Sequence, residues 1–349
     1  MWSFVLLASL TFVSAVQSME LIAVQSIFRH GDRAPSNPLP KGQIGIENWP
    51  NGWSQLTELG AMQCKELGSY YQRRYAKKLK LFNIDKEVIV RSTSKTRAIE
   101  SAQNMLSGLF DRKLLKPNSF ECNKYDAMLS ADNERLFSRY NKLYRGFFAR
   151  LSDLTGYNVT MQNIDNVFDA TYREVVHGFS KDEWLWEQVL NKETGQLVTA
   201  FELIVELKRI QRLAEFNSAE KSKLRTGYLL GQIFDRFERI SNGENLEKLT
   251  LLSSHDATLT SLLYSLNASN EMLVPYAAAI SFELYVDGLH MPTYYVKTLY
   301  RNETGNDQAH VFQLHGCERP ACELNEFKKA YENAIFITQE EQRQECKNN

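Results

Sequence analysis

The sequence predicts an α/β protein: a three-layer α/β/α core around a mostly parallel sheet, with a smaller helical cap inserted. Three observations predict it. Apolar runs at Leu21–Phe28, Val88–Val90 and Leu249–Leu252 alternate with long helical patterns, and such runs suit strands buried on both faces of a parallel sheet. Each run delivers polar or charged residues at its C-terminal end: Arg29-His30-Gly31-Asp32-Arg33, Arg91-Ser92-Thr93 and Ser253-Ser254-His255-Asp256. Open α/β sheets bind ligands outside the carboxyl ends of their strands. Finally, the alternation stops between residues 111 and 199, where aromatics are dense and turns frequent. This stretch reads as the inserted cap, and a cap beside a pocket is where substrate selectivity resides.

The chain has 349 residues, 43% of them hydrophobic and 24% charged, an ordinary globular composition for one large domain or two smaller ones. Its net charge of -1 leaves no basic surplus to neutralise a phosphate backbone, which excludes nucleic acid as a bulk electrostatic partner. A local basic pocket remains compatible with a neutral whole.

In chain order, residues 1–18 read as a secretory signal peptide. Phe4–Val13 is the apolar core, and the small residues Ser14, Ala15 and Ser18 follow. The run is too short for a comfortable membrane span, and no second run reaches that length. The mature domain, residues 19–349, is therefore expected to be secreted and without a membrane span. After the first strand, Gly31 permits a sharp turn and Pro35 ends regular structure. Residues 37–53 form a loop on the rim of the pocket, and Ser54 is the expected cap of the next helix. Leu56, Gly60, Cys64, Leu67, Tyr71 and Tyr75 recur at helical spacing, while Arg73, Arg74, Lys77 and Lys78 form a solvated face. A further helix follows Lys95-Thr96-Arg97, with Arg97 expected on its surface. In the cap, His177 and Trp184 stand out, with ordinary packing as the plainer reading. Helical patterns span 201–216 and 222–240, and a helix begins after His255-Asp256. Two late strands, 277–286 and 293–299, flank the turn Asp287-Gly288 as a hairpin at the sheet edge.

If the three apolar strands lie adjacent and parallel, Arg29, His30, Arg33, Arg91, His255 and Asp256 converge on one crevice. Arginine forks match phosphate oxygens. Histidine can attack phosphorus, and a carboxyl group can supply the leaving group with a proton. Asp32 reads as an orienting partner for the arginines. The alternative for each motif alone is a solvated loop after a strand. The remaining histidines, His177, His290, His310 and His315, show no metal-ligand spacing.

The run Arg29-His30-Gly31-Asp32-Arg33-Ala34-Pro35 with the distant His255-Asp256 resembles the histidine acid phosphatases, in their prostatic and lysosomal branch. The likeness extends to Gln55–Gly60, Glu66–Gly68, Arg91–Thr93 and Tyr300–Thr304, and so covers most of the chain after residue 20. The resemblance implies a phosphoglycerate-mutase-like core and hydrolysis of phosphate monoesters without metal or cofactor. It implies His30 as nucleophile, forming a phosphohistidine, and Asp256 as proton donor. Arg29, Arg33, Arg91 and His255 would then hold the phosphoryl oxygens. It further implies an acid pH optimum, a homodimer, and an extracellular or lysosomal destination, although the membrane tail typical of lysosomal members is not present in this sequence. A phytase-like or lysophospholipid phosphatase on the same scaffold is the first alternative. A secreted phosphate-binding protein without turnover is the second.

Five cysteines behind a signal peptide imply disulfides. Cys317 and Cys322 are close enough to close a small loop, and spacing alone leaves the connectivity open. The resemblance implies a Cys122–Cys346 pair, which leaves Cys64 as a buried free thiol. Vertebrate relatives show a third bridge that this chain lacks, with Tyr276-Ala277-Ala278-Ala279 where one of its cysteines is expected. Asn158, Asn267 and Asn302 each begin a glycosylation sequon.

Overall fold

The structure is a computed structural model that describes residues 19–110, 123–288 and 291–347. Residues 1–18, the expected leader, lie outside the described residues, as does Cys122. The first strand, β1 (Glu20–Arg29), runs into the arginine–histidine motif and is followed after a long loop by α1 (Glu58–Tyr71). A short α2 (Ile84–Glu87) leads into β2 (Val88–Ser92), and α3 (Thr96–Leu109) follows. The cap comprises α4 (Asn123–Leu143), α5 (Arg145–Thr155), α6 (Ile164–Val176), the hairpin β3 (Gln188–Leu190) and β4 (Leu197–Thr199), and α7 (Ala200–Ala214). Helix α8 (Ala219–Ser241) returns to the core, where β5 (Leu249–Ser254) and α9 (Asp256–Ser265) complete the crevice. The chain ends with β6 (Ala279–Asp287), β7 (Thr293–Arg301), β8 (His310–Val311), β9 (Ala321–Glu323), α10 (Leu324–Tyr331) and α11 (Gln339–Lys347).

The seven-stranded sheet has the order β2-β5-β1-β6-β7-β8, with β9 also pairing to β7. The three strands that carry the motifs are adjacent and parallel: β5 pairs with both β1 and β2. The other pairings, β1–β6, β6–β7, β7–β8 and β7–β9, are antiparallel, and Gly288, just after β6, has φ +88°. The β6–β7 hairpin lies against β1 rather than at the sheet edge, with β6 pairing along most of β1.

Alternation along β1 explains the three layers. Val24 and Phe28 face α1 and α3, together with Leu67, Tyr71, Met105 and Leu109. Ala23 and Ile27 face α8, α9 and α10, together with Phe234, Leu262 and Phe327. Phe28 is completely buried, and truncating such a side chain to alanine costs about 3–5 kcal/mol. The cap has its own core, in which Leu203, Ile204 and Leu207 of α7 pack with Phe148, Leu151 and Ile164. The packed cap therefore runs past residue 199 into α7. That helix starts with a capping box in which Thr199 and Glu202 satisfy each other's backbone amides.

Helix α1 is capped by Thr57, which accepts from the Gly60 amide, and not by Ser54, which sits in the turn before it with φ +64°. Two glycines let α1 approach the motif loop. A Cβ on Gly31 would lie 2.2 Å from the Gly60 carbonyl oxygen, and one on Gly60 would lie 2.1 Å from the Asp32 carbonyl oxygen. Neither position admits a side chain without displacing backbone.

Candidate active site

The crevice at the C-terminal ends of β1 and β5 holds a cavity of about 220 Å³. Its floor is the motif itself. The His30 amide donates to the Ser254 carbonyl at 2.9 Å, and the Arg29 amide donates to the Ala278 carbonyl at 2.9 Å, so β5 and the loop before β6 fix the strand end. Nδ1 of His30 lies 2.7 Å from the Gly31 carbonyl oxygen. A carbonyl only accepts, so Nδ1 carries the proton and Nε2 keeps its lone pair. Nε2 accepts from Nε of Arg97 at 3.2 Å. Burial, then the charges of Arg29 and Arg97, hold the His30 pKa well below its usual value. The imidazole is neutral and nucleophilic in mildly acidic solution.

His255 stands beside it, with ring centroids 5.3 Å apart, and its Nε2 is 2.9 Å from the Thr93 hydroxyl oxygen. Burial and the Arg97 charge bring His255 down to about 4. Asp256 opens α9, where the helix N-terminus favours negative charge. Burial pushes its carboxyl up, but Arg212, Arg29 and Lys208 prevail and hold it well below the carboxylate range. The nearest of these contacts is Nε of Arg212 to Oδ2 of Asp256, 3.2 Å.

Six cations line the cavity: Arg29, Arg33, Arg97, Arg173, Lys208 and Arg212. Their tethers differ. Arg29 donates to the Val274 carbonyl and lies over the Tyr276 ring, 3.9 Å from its centroid. Arg33 forms a forked pair with Asp169 at 2.7 and 3.3 Å. Arg173 reaches Asp169 at 2.9 Å and donates to the Tyr276 hydroxyl. Although burial opposes it, Arg173 and Arg33 hold the Asp169 carboxyl at about 2.

Of the residues singled out in the sequence, Arg29, His30, Arg33, His255 and Asp256 meet in this cavity. Arg91 does not, which corrects the expectation that it holds a phosphoryl oxygen. It lies within edge strand β2, exposed, and its field reaches Glu247. Its place is taken by Arg97, expected on a helix surface. The signal was present: a helix that follows a parallel strand aims its first turn at the crevice, and Arg97 shares a face with Ser101, four residues on. Ser101 accepts from the Gly31 amide at 3.0 Å, so α3 supports the motif loop and fills its site together.

Asp32 is a second correction. Among the described residues its carboxylate makes no hydrogen bond or ion pair with an arginine; its Oδ2 accepts from the Thr57 hydroxyl at 2.6 Å and from Nε2 of His177 at 2.7 Å. His177 therefore does more than pack, whereas Trp184 lies against the cap core. Of the long loop, Asn37 lines the cavity beside Ser36. Asp169, Arg173 and Lys208 had no signal in the sequence, because they come from the cap and reach the motif only through its docking.

Cys317 and Cys322 form a disulfide, with Cα atoms 5.2 Å apart. Cys346 is also oxidised, and Cys122, the partner implied by resemblance, lies outside the described residues. Cys64 is free and buried. Asn158 and Asn267 are exposed and Asn302 is half-buried.

A neutral histidine in an arginine-lined cavity at the carboxyl ends of parallel strands fits a phosphoryl-transfer site. The comparisons agree. A family profile, Histidine phosphatase superfamily (branch 2), matches residues 20–134. Human prostatic acid phosphatase is 30% identical over 341 residues, covering 90% of this chain and 85% of that protein. Human lysosomal acid phosphatase is 28% identical over 357 residues, covering 94% and 81%. The chain belongs to the histidine phosphatase superfamily, branch 2. Among solved structures, the phytase from Citrobacter braakii superposes with a TM-score of 0.65 at 15% identity, over 91% of this chain and 98% of that one. At that identity the likeness is one of fold.

Proposed function

We infer that this chain is a metal-independent acid phosphatase that hydrolyses phosphate monoesters through a phosphohistidine on His30. The observation that carries this reading is the state of His30: Nδ1 committed to the Gly31 carbonyl, Nε2 toward the cavity, and the ring held neutral among cations. In the first displacement Nε2 attacks phosphorus, the N–P bond forms and the bond to the ester oxygen breaks. Arg97 exchanges its bond to Nε2 for one to a phosphoryl oxygen. Arg29, Arg33 and Arg97 stabilise the equatorial charge, which is the electrostatic task a metal performs elsewhere.

The leaving oxygen needs a proton, and Asp256 stands ionised before substrate arrives. The proton therefore enters with the substrate. The monoanion of a phosphate ester carries one below its second pKa of about 6, and Asp256 relays it to the departing oxygen. In the second displacement Asp256 takes a proton from the water that attacks phosphorus, and the N–P bond breaks.

Two relatives are named prostatic and lysosomal acid phosphatases, and no helix of the described residues is long and apolar enough to cross a membrane. Secretion through the leader, glycosylation at exposed sequons and a homodimer belong to the same reading. Glycosidase-sensitive mass and light scattering of secreted protein test them.

The decisive experiment for the chemistry mixes wild type and His30→Ala with para-nitrophenyl phosphate in chelator at acid pH. Samples are quenched into alkali, where phosphohistidine survives, and peptides are read by mass spectrometry. A phosphate on the His30 peptide and no turnover in the variant are expected. Turnover that persists without His30 would sink the assignment.

A further inference from the structure

Lys208 and Arg212 stand one turn apart on α7, and the phosphoryl chemistry above leaves Lys208 without a task. Its side chain is 6% exposed and lines the same cavity as His30 and Asp256. Among the described residues, no carboxylate lies within ion-pair distance of its ammonium. Nζ donates to Oε1 of Gln211 at 2.9 Å, and the Gln211 amide is anchored on the Gln162 carbonyl at 2.8 Å. An amide orients an ammonium without neutralising it. A buried ammonium lacking a counter-ion is unfavourable, and burial with the Arg212 charge indeed brings Lys208 down to about 8. Arg212 adds a guanidinium that bonds Glu215 through one nitrogen at 2.7 Å and lies 3.2 Å from Asp256 through Nε.

The position of the pair follows from Asp256. Arg29 and His30 act on its carboxyl, as do Arg212 and Lys208. Lys208 and Arg212 line the cavity from α7, whereas Arg29 lines it from the end of β1 with His30 directly after it. Asp256 lines the same cavity and meets the α7 side through Arg212, at 3.2 Å. A group that protonates the leaving oxygen faces the leaving group, and the arginine paired with it stands next to that group.

From this geometry we propose that Lys208 and Arg212 form a second anion subsite on the leaving-group side of Asp256. The favoured substrates are phosphate monoesters whose alcohol carries a further negative group, a carboxylate or another phosphate. The proposal rests on the phosphatase reading above. Asp165 on the same wall and Glu215, paired with Arg212, oppose a second anion, but both are partly exposed, and Oδ1 of Asp165 accepts from Nε2 of Gln211 at 3.3 Å. The buried ammonium outweighs them, because screening weakens exposed charges more than buried ones.

The test uses the full chain and three probes with one three-carbon skeleton: glycerol phosphate, phosphoglycerate and propanediol bisphosphate. The first has one anionic group, the second adds a carboxylate and the third a phosphate. At acid pH, at least one doubly anionic probe is expected to exceed glycerol phosphate about tenfold in kcat/KM, mainly through KM, as one retained ionic contact requires. The arm that gains identifies the anion. Lys208→Met should collapse the ratio toward one, and Lys208→Arg should restore it. If Lys208→Met does not fold, the salt dependence of the wild-type ratio replaces it; an ionic preference shrinks as salt rises. Equal kcat/KM for the three probes, or a ratio indifferent to both salt and Lys208→Met, overturns the subsite and leaves the phosphatase reading standing. If no probe turns over, that reading fails instead, and calorimetric binding of the three probes to His30→Ala still decides the subsite by the same tenfold ratio.

Discussion

Asp169→Asn removes one charge and almost no volume, and it isolates the clamp between the cap and the motif. The carboxyl is 19% exposed and is held at about 2, against an ordinary 3.8. A depressed pKa contributes stability that is present above the unfolded value and is lost as pH falls through the folded one. At about 1.36 kcal/mol per unit, the shift is worth about 2.4 kcal/mol at neutral pH and about 1.3 kcal/mol at pH ~3. The variant also leaves Arg33 and Arg173 without their counter-charge, and breaking a buried pair costs about 3–5 kcal/mol. The expected loss is therefore about 2–5 kcal/mol at neutral pH, shrinking by about 1 kcal/mol at pH ~3. Urea unfolding of wild type and variant at the two pH values measures it. Activity should fall too, since Arg33 loses its fork, and KM should rise more than kcat falls if Arg33 mainly binds the ground state. Equal stability of the two proteins at neutral pH, or a difference that grows toward acid, would refute the argument that Asp169 is ionised and clamped.

The other predictions are shorter. Arg97→Ala should lower kcat/KM for para-nitrophenyl phosphate by about 10²–10³-fold, as loss of one transition-state donor does, while Arg91→Ala should leave it within about twofold because exposed substitutions change little; equal effects would show that the crevice is drawn wrongly. The plot of kcat/KM against pH should be bell-shaped and acid. It should fall above about 6 as the substrate loses its proton, and fall again only where His30 protonates, well below 6.5; a profile that rises through pH 7 contradicts the proton route through the substrate. Cys64 is buried with its thiol raised to about 11, so a thiol reagent should label it only after unfolding, and native-state labelling at neutral pH would place it elsewhere.

Much of this site can be read from the sequence because strands and their ends are local. An apolar run followed by Arg29-His30-Gly31 places its last residues at a sheet edge whatever the rest of the chain does, and the same holds for Ser254-His255-Asp256. Arg91 lies two residues short of the strand's exit. It sits inside β2, paired in register with Leu252, and the chain turns toward the crevice only at Thr93, whose hydroxyl meets His255. The mixed sheet was half legible: the Asp287-Gly288 turn announced the hairpin, but nothing local reveals that β6 joins β1 and not an edge. The cap residues were illegible for a firmer reason. Asp169, Arg173 and Lys208 sit on amphipathic helices where charge ordinarily means solvent, and only the docking of the cap turns those faces inward.

That docking has a pattern. Asp169, Arg173 and His177 lie four residues apart, on one face of α6 and its C-cap. Asp169 holds Arg33, Arg173 holds the tyrosine on which Arg29 rests, and His177 holds Asp32. One helical stripe thus meets the motif directly at two points and at a third through Tyr276. Each contact alone has the strength of a partly buried ion pair or hydrogen bond, but the three share one rigid helix, so fixing the first removes most of the entropy cost of the others. Arg33 is consequently positioned only when the cap is seated. Helix α6 thus couples the cap to the phosphoryl site, and a substitution on its Asp169–Arg173–His177 stripe is expected to disturb Arg33 and Asp32 as well.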